Sequence, residues 1–348
     1  MSQQDPSRPS KTRVPSGRPA TDVTLGHVAG AAGVSRATVS RAFSRPELLS
    51  PETVERVRSI AARLGYVGNE AARALKTGRF RNIAVVVPDI ANPFFPSLLR
   101  AVQDRAGQLG YAVFLGDSDE NADRERTLLT RFTGQVEGFI LAGTRLDKPT
   151  IVEQSRVRPT VLINRDVASV SQVLIDSSRG IHEAVQHLKD LGHELIAYLA
   201  GPTDSWADQQ RRTAARAACL RLGLQLRVVE LGRPAFQAGY DAVEALTATP
   251  ITAAIAFDDV IAHGVLAGLR RRGYSVPEQF SVVGCDDTLA ISTDPPLTTI
   301  SGGAAEAGSA AVDMLLHAVS GGSQARRMTI PTHLVVRATT APSPVTVP

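Results

Sequence analysis

Two periodicities divide the chain. From about residue 82 onward, short apolar runs recur: IAVVVP (83–88), YAVFLG (111–116), GFILAG (138–143), TVLIN (160–164), LIAYLA (195–200), RVVEL (227–231), AAIAF (253–257) and FSVVGC (280–285). Between most of them lie stretches with the apolar spacing of amphipathic helices, such as 97–109, 179–191, 207–222 and 260–272. Continuous apolar strands separated by helices predict parallel sheets covered on both faces. The strands are too many for one modest sheet. The pattern therefore predicts an α/β core of two doubly wound lobes with a cleft between them. In such sheets ligands sit at the C-terminal ends of strands. The polar residues there are Asp89, Asn92, Asn164, Arg165, Asp258, Asp259, Asp286 and Asp287. Any one of them is more often a helix cap or loop residue; several converging on one cleft would be a binding site.

Ahead of residue 80 the pattern changes to short helices. Thr24 is placed to cap a first helix through about Ala31. Ala29 is small where a second helix must cross. Gly33 can take the positive φ of a tight turn. Ser35 then caps a second helix whose Val39 faces inward. This is the shape of a helix-turn-helix over 24–41. A packing-only helical hairpin is the plainer reading, but Arg36, Thr38, Ser40 and Arg41 form an outward face that packing does not require. A third helix is predicted from Pro51 to Leu64, capped by Ser50, closed by Gly65, with Val54, Val57, Ile60, Ala61 and Leu64 as its apolar stripe. A short Ala-rich helix follows at 69–76.

Charge adds to this division. Residues 1–78 hold 12 Lys and Arg against 6 Asp and Glu, while the whole 348-residue chain carries only +4. The excess positive charge lies where a phosphate-binding surface would need it. Part of it belongs to residues 1–21, rich in Pro, Ser and Arg, which read as a disordered basic arm. That arm has no apolar stretch of a secretory signal, and no run approaches the roughly eighteen apolar residues of a membrane span. The expectation is a cytoplasmic protein with no membrane partner. Cys219 and Cys285 are far apart, in no metal-like spacing. No metal and no cofactor are expected. His182 and His187 are five residues apart, hence on different helical faces, and His193 reads as a turn residue.

An enzyme reading finds little support. The first strand leads into Pro88-Asp89-Ile90-Ala91-Asn92-Pro93, which is no glycine-rich phosphate loop. There is neither a nucleophile elbow nor a Walker-type lysine loop. A stand-alone solute-binding protein is the other alternative; the missing export signal and the N-terminal helices count against it.

The run TLGHVAGAAGVSRATVSRAFSRPELLSPETVERVRSIAARLGYVGNEAARALKTG (24–78) closely resembles the DNA-binding head of LacI/GalR-family transcription regulators. The resemblance continues to about Thr339, carried by VPDIANPFF, LAGTRLD, VLINRD, LGHELIAYLAGP, YSVPEQFSVVGCDD and DPPLTTIS. It implies a periplasmic-binding-protein-like core that clasps an effector between its lobes. It divides the chain into a head (22–67), a hinge helix and linker (68–80), an effector-binding and dimerisation domain (81–340) and a flexible tail (341–348).

Carried over residue by residue, the resemblance implies that the second helix enters the major groove. Arg36, Ala37 and Arg41 would read bases, where an Arg can bond guanine bidentately. Thr38 and Ser40 would bond phosphates, which position without specifying, and Thr24, Leu25 and Ser35 belong to the same DNA-binding set. Asn69 and Ala72 belong to the hinge helix, and Leu75 would wedge into the minor groove at a flexible central step. So short a helix would order only against a second copy on DNA. In the core the resemblance assigns effector contacts to Phe94, Phe95, Asn164, Arg165, Arg211, Asp258, Asp259 and Asp286. Three positions depart from the family pattern. Asn164 replaces a carboxylate, Pro234 stands where an aromatic ring stacks on the ligand (Trp206 or Phe236 being the candidates to substitute), and Gly302-Gly303 replaces a Gln. Sugars and related polyols suit paired carboxylate and arginine groups; nucleosides are the alternative. The tail has no leucine heptads, so a homodimer is expected rather than a tetramer. The function implied is an effector-controlled repressor of a pseudo-palindromic operator in double-stranded DNA.

Overall fold

The computed structural model describes residues 23–66, 80–322 and 324–344. The chain divides into two compact units, a head up to Gly78 and a core from Arg79 onward. Asn69, Ala72 and Leu75, and with them the expected hinge helix, lie outside the described residues, as does the N-terminal arm.

Among the described residues the head holds three α-helices, α1 (Leu25–Ala32), α2 (Arg36–Ser44) and α3 (Pro51–Leu64). Local chemistry sets their ends. Ser35 and Ser50 each accept a backbone N–H, from Thr38 at 3.1 Å and Thr53 at 3.3 Å. At Thr24 the backbone N–H donates to His27 Nδ1 at 3.2 Å, closing the first turn of α1. Gly33 takes φ +64° and lets the chain reverse between α1 and α2. Val28, Ala29, Val39, Ala42, Val57, Ile60 and Ala61 form a small common core. Leu64, expected on the apolar stripe, is 38% exposed, because it lies in the last turn beyond the reach of the other two helices.

The core holds two six-stranded sheets. The first is ordered β11-β5-β4-β3-β1-β2, with β1 (Asn82–Val87), β2 (Ala112–Asp117), β3 (Phe139–Ala142), β4 (Thr160–Ile163), β5 (Ser171–Asp176) and β11 (Arg327–Pro331), all parallel. The second is ordered β12-β10-β9-β8-β6-β7, with β6 (Leu195–Ala200), β7 (Gln225–Glu230), β8 (Ala253–Ala256), β9 (Ser281–Asp286), β10 (Thr298–Ser301) and β12 (Leu334–Val335). Only β12 runs antiparallel to its neighbour. Alternation explains why both faces are apolar. Ile83, Val85 and Val87 of β1 pack on one side, under helices Phe94–Gln108 and Ala304–Val319; Ala84 and Val86 pack on the other, with Leu129 and Ile151.

The chain passes between the lobes three times: after β5, after β10 and between β11 and β12. The sequence pattern omits β5, β10, β11 and β12. β5 (SQVLID) and β10 (TTIS) carry only short apolar runs, and β11 and β12 are sheet edges with mixed polarity, completed by chain that returns from the other lobe. The docked chain also runs further than expected. His193, read as a turn residue, is fully buried and bridges Thr252 Oγ1 (2.7 Å) and the Ala341 carbonyl (3.2 Å). Ser343 N–H donates to Leu191 O at 2.7 Å, so residues 341–343 are fastened to the second lobe rather than free.

Candidate functional sites in the head and the core

On α2, Arg36, Ala37 and Arg41 are exposed, whereas Val39 and Ala42 turn inward. Helical phase alone separates the two sets. The Ser35 and Thr38 hydroxyls lie 2.9 Å apart, each within reach of the other. Ser40 is half-buried, and its carbonyl accepts from Ser44 Oγ. Thr24 is exposed at the start of α1, while Leu25 leans on the head's apolar cluster.

In the core a cavity opens between the lobes at the C-terminal ends of the strands, with about 50 Å³ of enclosed space. The first lobe supplies Phe94, Phe95, Glu120, Arg145, Ile163 and Asn164; the second supplies Ser205, Arg211, Pro234, Phe257 and Asp286. Phe94 and Phe95 meet edge to face, 5.2 Å between centroids, and offer apolar surface on one wall.

Opposite stands a buried ion pair. Arg211 Nη2 donates to Asp286 Oδ1 at 2.6 Å, its Nε to Ser177 Oγ at 3.2 Å, and its Nη1 to the Phe257 carbonyl. The guanidinium also lies over the Phe257 ring, 4.9 Å from the centroid. Burial is the largest influence and opposes the Arg211 charge, but the touching Asp286 carboxylate and the neighbouring Cys285 and Tyr198 together outweigh it and keep the arginine protonated. Asp286 itself sits at φ +101°, which turns its side chain out of the β9 register and toward the cleft. Gly302 makes this possible, because a Cβ there would stand 2.4 Å from the Asp286 carbonyl oxygen. The glycine that departs from the family pattern is thus the floor under Asp286.

Asn164 takes φ +54° at the end of β4, and its side-chain oxygen accepts from Ile175 N–H at 3.0 Å. The amide nitrogen is the group it can offer to a ligand. Glu120 and Arg145 form a second pair on the first lobe's wall, with 2.5 Å between Oε2 and Nε.

Five of the effector candidates therefore line the cavity, and three do not. Arg165 follows Asn164 and takes the opposite side of the chain, donating to the Leu146 carbonyl at 2.7 Å. Asp258 is drawn back onto its own helix, Asp259–Arg271, where it caps Ile261 N–H at 2.9 Å; its other oxygen accepts from Asn92 Nδ2 of the first lobe at 2.8 Å. Asp259 accepts from Thr299 Oγ1 (2.6 Å) and Thr288 N–H (2.9 Å), behind the wall. Burial, aided by the Asp286 charge, pushes both Asp258 and Asp259 up to about 7. Trp206 and Phe236 are also off the cavity, Phe236 stacking on Tyr240 instead. Glu120, Arg145, Ser205 and Phe257 are cavity residues that sequence reasoning missed, although three of them follow predicted strands closely enough for the strand-end rule to have found them.

Residues 24–69 match the model of bacterial regulatory proteins of the lacI family, and residues 185–340 match a periplasmic binding protein-like domain. The HTH-type transcriptional repressor CytR of Escherichia coli (strain K12) is 34% identical over 336 residues, covering 93% of this chain and 98% of that protein. The chain belongs to the lacI family. It is a lacI-family transcriptional regulator with a ligand-binding type of core, and the two doubly wound lobes anticipated from the strand pattern are those of this family. Solved lacI-family structures agree in architecture. A lac repressor dimer bound to operator and the anti-inducer ONPF superposes with a TM-score of 0.83 at 28% identity, covering 92% of this chain and all of that one. A transcriptional regulator CelR–cellobiose complex gives 0.69 at 30% identity, covering 91% and 99%. Among the described residues no helix is long and apolar enough to cross a membrane.

Proposed function

We propose that this regulator represses transcription as a homodimer on a pseudo-palindromic operator, and that a sugar or related polyol in the inter-lobe cavity controls its grip on DNA. The observation that carries the ligand assignment is the Arg211–Asp286 pair on one wall facing Asn164 and the Phe94–Phe95 surface on the other. A sugar ring has the same two-sided character: hydroxyls for the carboxylate, amide and guanidinium, and C–H faces for the rings. The similarity to a cellobiose-bound relative favours the same class. Binding, not bond-making, is the chemistry these groups support, since Arg211 is tied by three hydrogen bonds and the carboxylates behind the wall are occupied.

The head over 22–67 would read DNA through Arg36, Ala37 and Arg41, with Thr24, Leu25, Ser35, Thr38 and Ser40 positioning it. The hinge over 68–80, with Asn69, Ala72 and Leu75, would order on the operator. The core over 81–340 would supply the dimer contact; edge strand β2, with Leu115 42% exposed, is a surface suited to it. The cavity is closed across by the buried Asn92–Asp258 hydrogen bond, so a ligand that prefers one degree of closure would shift the equilibrium between operator-competent and operator-incompetent forms.

The test is a thermal-shift screen of mono- and disaccharides and polyols, followed by operator titration with and without each hit. One compound is expected to raise the midpoint and change operator affinity at least tenfold, about 1.4 kcal/mol of coupling. Absence of specific DNA binding at low salt would reject the reading, as would hits confined to nucleosides for the ligand class.

A further inference from the structure

We propose that Gly26 is a specificity-determining position of the head. By carrying no side chain it leaves the room in which the Arg36 guanidinium lies, and so sets where Arg36 presents its donors to a base pair. The inference rests on the DNA-reading role proposed above for Arg36 and adds a positioning residue to it.

A Cβ built on Gly26 would stand 3.0 Å from Arg36 Nη2, 3.1 Å from Nε and 3.3 Å from Cζ. Its nearest neighbours are thus three atoms of one guanidinium, so the plane of the fork rests against the bare backbone of α1. The two residues meet because α1 and α2 are joined by the tight turn at Gly33, which brings the first turn of α1 beside the first residue of α2.

Helix chemistry does not account for this glycine. Gly is among the poorest helix formers, and position 26 lies inside α1, not at its cap. Gly30 of the same helix faces nothing within 4 Å, so only at Gly26 does the missing side chain coincide with a functional group. Guanine recognition by arginine is bidentate and planar, and a fork displaced by an ångström no longer meets both acceptors. An alanine methyl group at 26 requires the fork to give by a few tenths of an ångström, and a larger side chain forces Arg36 outward or sideways. Arg41 lies five residues further along α2, and Gly26 does not constrain it.

The experiment uses the full chain and an operator selected from a random duplex library. Affinities for every single-base variant of one half-site are measured for wild type, Gly26→Ala, Gly26→Leu, Arg36→Ala, Arg41→Ala and the Gly26→Leu/Arg36→Ala double variant. The expected result is that Gly26→Leu lowers discrimination at the same base pair as Arg36→Ala, by roughly 5- to 150-fold. Gly26→Ala falls between, positions lost only on Arg41→Ala are unaffected, and Gly26→Leu adds nothing in the Arg36→Ala background. A uniform loss across all bases, full additivity with Arg36→Ala, or unchanged discrimination in Gly26→Leu would overturn the inference while leaving the DNA-reading role intact. If wild type selects no operator, the role itself fails. Should Gly26→Leu unfold the head, as read by loss of helical circular dichroism, Gly26→Ala decides by the same criteria.

Discussion

In the head, Arg36 and Arg41 stand exposed on the outer side of α2, whereas in the core Arg211 and Asp286 are held inside, at 4% and 9% exposure. The head's arginines cost the fold almost nothing, and their side chains await an external partner. The core's pair is desolvated, and the two opposite charges touch inside the fold. The difference teaches where mutations will register. A change at an exposed reader should alter recognition and leave stability alone. A change in the buried cluster should alter both, because ligand contact and folding share the same atoms.

The strongest test of that contrast is Arg211→Ala. It leaves Asp286 buried without its cation, a loss of about 3–5 kcal/mol, or roughly 10 °C in the core's unfolding midpoint for a unit of this size. Response to the effector should vanish with it, while operator binding persists at temperatures where the core is folded. A midpoint equal to wild type by calorimetry would mean that the pair is not the anchor described.

Gly302→Ala should come next. The new methyl group meets the Asp286 carbonyl oxygen at 2.4 Å, so the strand end must shift. Overpacking of this kind costs about 1–3 kcal/mol. Isothermal titration should find the effector bound more weakly through a displaced Asp286 carboxylate, with DNA affinity in the absence of effector unchanged. Undiminished ligand binding would remove Gly302 from its supporting role.

A smaller effect is the dependence of core stability on pH. Asp258 and Asp259 are pushed up from 3.8 to about 7, burial being the main cause. Between about pH 4 and 7 the folded core then holds more protons at these groups than the unfolded chain does. Their contribution to stability therefore falls as pH rises through that window and is flat above it. His187, His193 and His263, lowered by burial, work in the opposite direction. The difference between wild type and Asp258→Asn isolates the carboxyl. Melting curves from about pH 5 to about pH 8 should show wild type losing stability relative to the variant as pH rises. Parallel curves would show that Asp258 titrates normally.

Legibility follows the same division between regions. The end of α1, the start of α2 and both ends of α3 are written in adjacent residues, Gly33, Ser35, Ser50-Pro51 and Gly65, so the amino-acid order alone reveals them. The same is true of the buried strands β1, β3, β4, β6, β8 and β9, whose apolar runs exceed anything a loop would carry. Strands β11 and β12 are not legible in this way, because chain crossing from the other lobe brings them to their partners, and β5 (SQVLID) and β10 (TTIS) carry apolar runs too short to stand out. The cavity is legible only in part. The strand-end rule locates Asn164 and Asp286, but it cannot say that Arg165, Asp258 and Asp259 turn away or that Phe257 and Arg145 turn in.

The sequence by itself determined the helical phase that exposes Arg36 and Arg41, the caps and turn that hold α2, the two-lobed α/β core and membership of the lacI family. Each of these depends on interactions within a few residues or on a periodicity that every residue repeats. Only the tertiary structure decided which side chains meet in the cleft. At a strand end the direction of a side chain is set by one backbone angle, φ +54° at Asn164 and +101° at Asp286, and those angles go with a hydrogen bond from Ile175 and with the room left at Gly302, neither of them a chain neighbour. The same holds for the room that Gly26 leaves for Arg36, which exists only once two helices have packed.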